Sequence, residues 1–240
     1  MRIQIGRKRI ILFMARVAVI IFIANYVRII MRYGFGHGNL LGLSQMVDMD
    51  SENNLPTLYT VVLMLLIAAL LLFISRHKQK NDEPYLAWKG LCLIFLFLSL
   101  DEFGHIHERL ITPVRTLLDT SGVFYFAWII PYVLVLMILA PIYLRLIMTL
   151  PRAVGTMFII SALCYLSGAV GVEMIGALLY EAGAEEQRNL TYELVTTVEE
   201  MLEITGLLLF FATLVIYIDA FLGSFQVRVV SDKSHKSDES

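Results

Sequence analysis

The chain has 240 residues, of which 58% are hydrophobic and 17% charged, with a mean hydropathy of +0.73. Soluble domains are roughly 45–50% apolar and 25% charged, so a water-soluble globule and a disordered chain are both excluded. A formal net charge of −2 excludes the basic surface of a nucleic-acid binder, and two cysteines, Cys92 and Cys164, make no disulfide scaffold and read as small buried hydrophobes.

A membrane-spanning helix needs about 20 mostly apolar residues, and that ruler places six in chain order. The first, about 10–31, follows the basic Arg7-Lys8-Arg9. It is too long for a cleaved signal peptide and carries Arg16, Asn25 and Arg28, so it reads as a retained anchor. Near its outer end Arg28 is expected to snorkel to the interface, or else to neutralise nearby acids. The loop 32–54 is rich in glycine and then acidic at Asp48, Asp50 and Glu52. It opens like a calcium loop, but Asn53 and Tyr59 stand where glycine and glutamate are required. It reads as a solvated loop, or as a cap over acids on the helices.

Asn54 and Pro56 start the second span, about 55–75, with asparagine capping and proline in the first turn. The third span covers about 85–110. The fourth, about 123–147, contains Pro131 and Pro141 as candidate kinks. The fifth, about 156–180, has Ser167 and Gly171 as a small-residue pair suited to close packing. Asn189-Leu-Thr191, which matches a glycosylation acceptor, precedes the sixth span at about 192–222. The expected fold is an all-α membrane bundle, one six-helix domain over residues 1–222, followed by a polar tail over 223–240 expected to be disordered.

With the N-terminus inside, thirteen lysines and arginines fall on the cytoplasmic side and five outside, with Arg16 within the first span. This bias orients the chain with both termini cytoplasmic. The acids sort the other way, fifteen of the 21 lying in outer loops or the outer thirds of spans. Asp101 to Glu108, Glu173, and the group Glu199, Glu200 and Glu203 come to one depth on three helices, where ionisable groups are costly and mark function.

At 100° per residue Asp101, His105 and Glu108 share one stripe of a continuous helix, with His107 turned away. Glu199 and Glu203 share another, with Glu200 at its edge. Carboxylates four residues apart repel, and no lysine occurs between Lys89 and Lys233 to relieve them. Such a set calls for a cation or a shared proton. One reading is a metal site with Asp101, His105, Glu108, Glu173, Glu199 and Glu203 as ligands, Glu102 and Glu200 as bases, and one or two iron, manganese or zinc ions bound. Carboxylate-bridged di-metal centres in helical bundles use the same donor types. Two others are a proton- or cation-handling cluster without a fixed metal, and interfacial ion pairs to Arg28, Arg109 or Arg188.

The segment Leu98-Ser-Leu-Asp-Glu-Phe-Gly-His-Ile-His-Glu108, with Asp50-Ser-Glu-Asn-Asn-Leu-Pro-Thr57 and Thr197-Val-Glu-Glu-Met-Leu-Glu-Ile-Thr-Gly206, resembles a family of uncharacterised bacterial integral membrane proteins. That resemblance implies a bacterial inner membrane and no activity. The Leu-Asp-Glu stretch also resembles ceramidase-like membrane hydrolases, which hold zinc with several histidines, but the chain lacks their late His-x3-His pair. The expectation is an inner-membrane protein whose metal site opens outward and acts on a lipid or lipophilic substrate by hydrolysis or oxidation. Its expected partners are membrane lipids, and neither the substrate nor an oligomeric state is read from the residues. The alternatives are a proton- or cation-coupled transporter using the same carboxylates and a structural or assembly role.

Overall fold

The computed structural model describes residues 7–38, 43–183 and 189–222, so the tail over 223–240 and Arg188 lie outside the described residues. Every regular element among the described residues is helical. The order is α1 (Arg7–Phe35), a short α2 (Leu43–Met46), α3 (Leu55–Lys80), α4 (Leu86–Gly104) and α5 (Ile106–Leu118), then a 3-10 turn at Gly122–Phe124. After α6 (Ile129–Thr149), α7 (Arg152–Leu166) runs through a π-helical stretch, Ser167–Val172, into α8 (Glu173–Ala182). Finally α9 (Leu190–Tyr217) closes with π-helical Ile218–Leu222. Among the described residues five stretches are long and apolar enough to cross a membrane: Arg7–Phe35, Leu55–Lys80, Ile129–Thr149, Arg152–Ala182 and Leu190–Leu222. The helix α4 is also apolar but carries Lys89, Asp101 and Glu102.

The centre of the bundle is α3 against α9. Leu63, Ile67, Leu71 and Ile74 recur along one face of α3 and are fully buried, as are Ile204 and Leu214 of α9. Between helices in lipid the hydrophobic effect gives little, so close packing has to supply the attraction. Trp88 of α4 stacks on Tyr217 at 5.3 Å and meets Phe158 edge-on at 6.0 Å. Two glycines bring α7 and α9 together. A Cβ on Gly206 would lie 2.6 Å from the Tyr165 nitrogen, and one on Gly168 would lie 2.6 Å from the Glu199 carbonyl oxygen. The expected pair Ser167 and Gly171 does not do this, since Gly171 has nothing within 4 Å of its Cβ position.

The start of α3 follows the capping chemistry read from the residues, and α9 starts in the same way. Asn54 accepts a hydrogen bond from the Thr57 N–H at 3.1 Å, with Pro56 in the first turn of α3. Asn189 does the same for α9, accepting from the Tyr192 N–H at 3.0 Å, which gives the Asn189-Leu-Thr191 segment a structural role. The helix expected over 123–147 begins later, at Ile129, because Gly122–Phe124 forms the 3-10 turn. Pro131 therefore sits in the first turn of α6, where its missing N–H is harmless, and Pro141 is the proline inside that helix.

Ion pairs tie both ends of the bundle. Arg7 at the start of α1 pairs with Asp219 beyond the end of α9. At the opposite end Arg28 does not snorkel, being 5% exposed. Its guanidinium lies 3.0 Å from Asp48 and 3.0 Å from Glu193, and Arg32 also pairs with Glu193. Asn25 completes this buried knot, donating to Thr197 Oγ1 at 2.9 Å and accepting from Arg28 Nε at 3.1 Å and from the Met49 N–H at 3.4 Å. The acidic loop after α2 is thereby fastened to α1 and α9.

Candidate metal centre

The helix expected over 85–110 is two helices, and the break governs the site. His105 has φ 52 and ψ 41, the left-handed conformation that ends α4, and its N–H bonds to the Asp101 carbonyl. Histidine is among the few side-chain types that visit this region readily. The chain restarts at Ile106, and Asp101 Oδ1 accepts the His107 backbone N–H at 2.8 Å, satisfying a free donor at the start of α5. The two histidines consequently exchange the roles expected on a continuous helix. The His107 ring turns inward, with Nδ1 3.4 Å from Asp101 and its centroid 5.1 Å from that of Trp128, the two rings tilted by 58°. His105 turns to the loop instead.

There His105 Nδ1 lies 3.1 Å from Glu52 and 4.0 Å from Glu108, while Nε2 accepts from the Asn53 amide at 2.9 Å. Among the described residues, Glu52, His105 and Glu108 bring three donor atoms within 4.8 Å of one another. An imidazole with two carboxylates suits zinc, iron or manganese. Binding at Nδ1 requires the proton on Nε2, and the Asn53 amide meets that need by turning its oxygen to the ring. Burial and the charge of Glu108 raise the Glu52 carboxyl above its ordinary range, with His105 and His107 pulling the other way.

Beneath this mouth two cavities share a wall made by Glu52, His107, Trp128, Glu173, Glu199 and Glu200. The outer one holds about 110 Å³ and also takes in Glu108 and Tyr192. The inner one holds about 590 Å³ and adds Asp101, Glu102 and Glu203. Among the described residues no lysine or arginine lines either cavity. Glu173 accepts from Trp128 Nε1 at 2.9 Å and lies within hydrogen-bonding reach of Glu199, whose Oε2 is buried without a hydrogen-bond partner. Two carboxyls so placed need a proton or a cation between them. Burial alone would lower the His107 imidazole, but the hydrogen bond and charge of Asp101, with the charges of Glu102 and Glu52, outweigh it and raise it to about 9.

These observations place the residues singled out from the sequence in two neighbouring positions. His105 and Glu108 stand at the mouth with Glu52. Asp101, Glu173, Glu199 and Glu203 line the inner cavity, with Glu102 and Glu200 beside them. The chain belongs to the family described as Domain of unknown function (DUF8692). Its model matches residues 10–218, which include every residue of this centre. No curated protein and no solved structure matches the chain. Membership of the DUF8692 family agrees with the resemblance to an uncharacterised family and brings no activity with it.

Sequence reasoning missed three members of the centre. Glu52 lies far from the helical acids in the chain, and the signal that finds it is the acidic run Asp48-x-Asp50-x-Glu52 directly before the Asn54 helix start. His107 is hidden by assuming a straight helix, although Gly104 marks a possible stop. Trp128 carries no signal in the sequence.

Proposed function

We propose that the chain is a six-span protein of a bacterial inner membrane with both termini cytoplasmic, and that it is a metal-dependent enzyme acting on a lipophilic substrate by hydrolysis or oxidation near the outer face. The span that joins the five long apolar stretches is α4, third in chain order. Its 19 residues rise about 28 Å at roughly 1.5 Å per residue, close to a hydrocarbon core about 30 Å thick. Asp101 and Glu102 of α4 face the inner cavity, so their charge is not turned to lipid. The excess of basic residues at the opposite end supports the orientation.

The observation that carries the metal reading is a set of carboxyls around two cavities whose walls hold, among the described residues, no lysine or arginine and a single imidazole, His107, while Glu199 Oε2 is unpartnered. Uncompensated acids at this depth are expensive, and a bound divalent cation removes the imbalance. Glu52, His105 and Glu108 would hold one ion at the mouth. Glu173 and Glu199 would bind a second, with Asp101 and Glu203 in the same cavity wall; a bound metal would supply an activated nucleophile, and Glu102 and Glu200 would be the bases that take its proton. An enzyme is favoured over a cation pathway because the acids end at Glu203, and toward the cytoplasm the cavity wall becomes Leu207, Phe210 and Leu146.

Elemental analysis of the purified protein tests this beside His105→Ala and Glu203→Ala. The unsubstituted protein is expected to retain iron, manganese or zinc in stoichiometric amount. Each variant should bind it at least about tenfold more weakly, the range seen when a metal ligand loses its support. A protein without stoichiometric metal, unchanged by either substitution, overturns the metal reading.

A further inference from the structure

The inner cavity continues well beyond its carboxyls, and what it becomes there identifies an occupant. Along α4 its wall runs from Asp101 to Leu91, a rise of about 15 Å at roughly 1.5 Å per residue, half of a hydrocarbon core about 30 Å thick. Over that length the shaft offers no charged group. The Ser161 hydroxyl is already spent on the Met157 carbonyl at 2.7 Å. The other polar groups of the wall over this stretch are the hydroxyls of Tyr143 and Tyr165, fewer than a file of water molecules with two to four polar partners each would need. The shaft lies between α4 and α6, whose outer faces carry exposed Leu93, Leu100, Leu134 and Ile138. At this depth the phase beside it is therefore hydrocarbon. Its volume of about 590 Å³ falls within the roughly 300–1,000 Å³ of ordinary ligand pockets.

We propose that the shaft seats one hydrocarbon chain of a single-chain lipid, arriving sideways between α4 and α6, with an uncharged oxygen-bearing head such as an alcohol, aldehyde or ester held at the carboxyl end. An anionic head is disfavoured because seven acids surround it against a single imidazole, His107, with no lysine or arginine among the described residues of the wall. That this lipid is the substrate rests on the metal reading, whereas the seating of the chain does not.

The test uses the full-length protein in lipid nanodiscs with hexadecanol bearing a mid-chain diazirine, irradiated and mapped by peptide mass spectrometry. Label is expected on Leu139 and Ala162, which face the shaft, as well as on Ile138 and Met148, which are 72% and 77% exposed on the outer surface of α6. Ala162→Trp, which fills the shaft, should reduce label at Leu139 at least about tenfold, equivalent to about 1.4 kcal/mol of occupancy, and leave Ile138 labelled as before. Leu136→Phe narrows the same shaft more gently and should act in the same direction should the tryptophan variant fail to fold. Unlabelled hexadecanol should compete at Leu139 better than palmitate.

Label confined to Ile138 and Met148, or label at Leu139 that neither substitution lowers, overturns the proposal. Equal competition by palmitate overturns the uncharged head. Metal content is measured on the same samples. Label at Leu139 in a protein without metal refutes the enzyme reading and leaves the lipid seat standing, while metal without that label does the reverse.

Discussion

Arg28→Met is expected to destabilise the protein by about 3–5 kcal/mol, the range found when one partner of a buried ion pair is removed. The guanidinium bridges Asp48 and Glu193 while its Nε donates to Asn25, so its loss leaves two buried acids with one cation fewer. Unfolding in mixed micelles, followed by tryptophan fluorescence, measures the change. Arg28→Lys should fall between, because one ammonium cannot reproduce a planar fork spanning two carboxylates and an amide. Adding Asp48→Asn to the methionine variant should recover part of the loss, since it removes one stranded charge. The same substitution should weaken metal binding, because the loop held by Asp48 and Met49 is the one that presents Glu52 to His105. Stability equal to that of the unsubstituted protein would mean that the acids are neutral and the knot is not ionic.

Gly206→Ala is expected to cost about 3 kcal/mol, at the upper end for overpacking. The added carbon meets the Tyr165 nitrogen at 2.6 Å and the Ser161 carbonyl oxygen at 2.9 Å, and backbone atoms cannot swing aside as a side chain can. Gly168→Ala should cost a similar amount and also reach the metal centre, because its Cβ would press on the Glu199 carbonyl and lie 3.0 Å from Glu203 Cγ. Gly171→Ala is the control. With nothing near its Cβ position, it should change stability by less than about 1 kcal/mol. The same unfolding measurement decides, and a Gly206→Ala variant as stable as Gly171→Ala would show that α7 and α9 can separate freely.

What could be read from the residues was whatever the solvent or the local backbone dictates. Bilayer thickness imposes the length of each apolar run, so Leu55–Lys80, Arg152–Ala182 and Leu190–Leu222 stand where hydropathy puts them. Asn54 caps because its side chain reaches a donor only a few residues away. The errors arise where distant partners decide. Periodicity cannot show that His105 turns left-handed, since the stop is completed by Asp101 accepting a donor six positions on. Nor does it show that Arg28 is claimed by Asp48 and Glu193 before it can reach the interface. Depth along the helices was enough to bring Glu173, Glu199 and Glu203 to one cavity, whereas Glu52 reaches His105 only through the folding of a loop.

The π-helical stretch Ser167–Val172 has a consequence for chain length. A π turn takes up one residue more than an α turn without turning the flanking segments. Tyr165 and Glu173 both line the inner cavity, although eight residues apart in an unbroken α-helix would set them about 80° apart, and seven only about 20°. A chain shortened by one residue at Gly171 is therefore expected to close the wide turn into ordinary helix and keep both side chains on the cavity. The same deletion at Ile160, in regular helix, would swing one half of the span by about 100° relative to the other. The span carries Glu173 directly beside a stretch where it can lose a residue and keep its bearing.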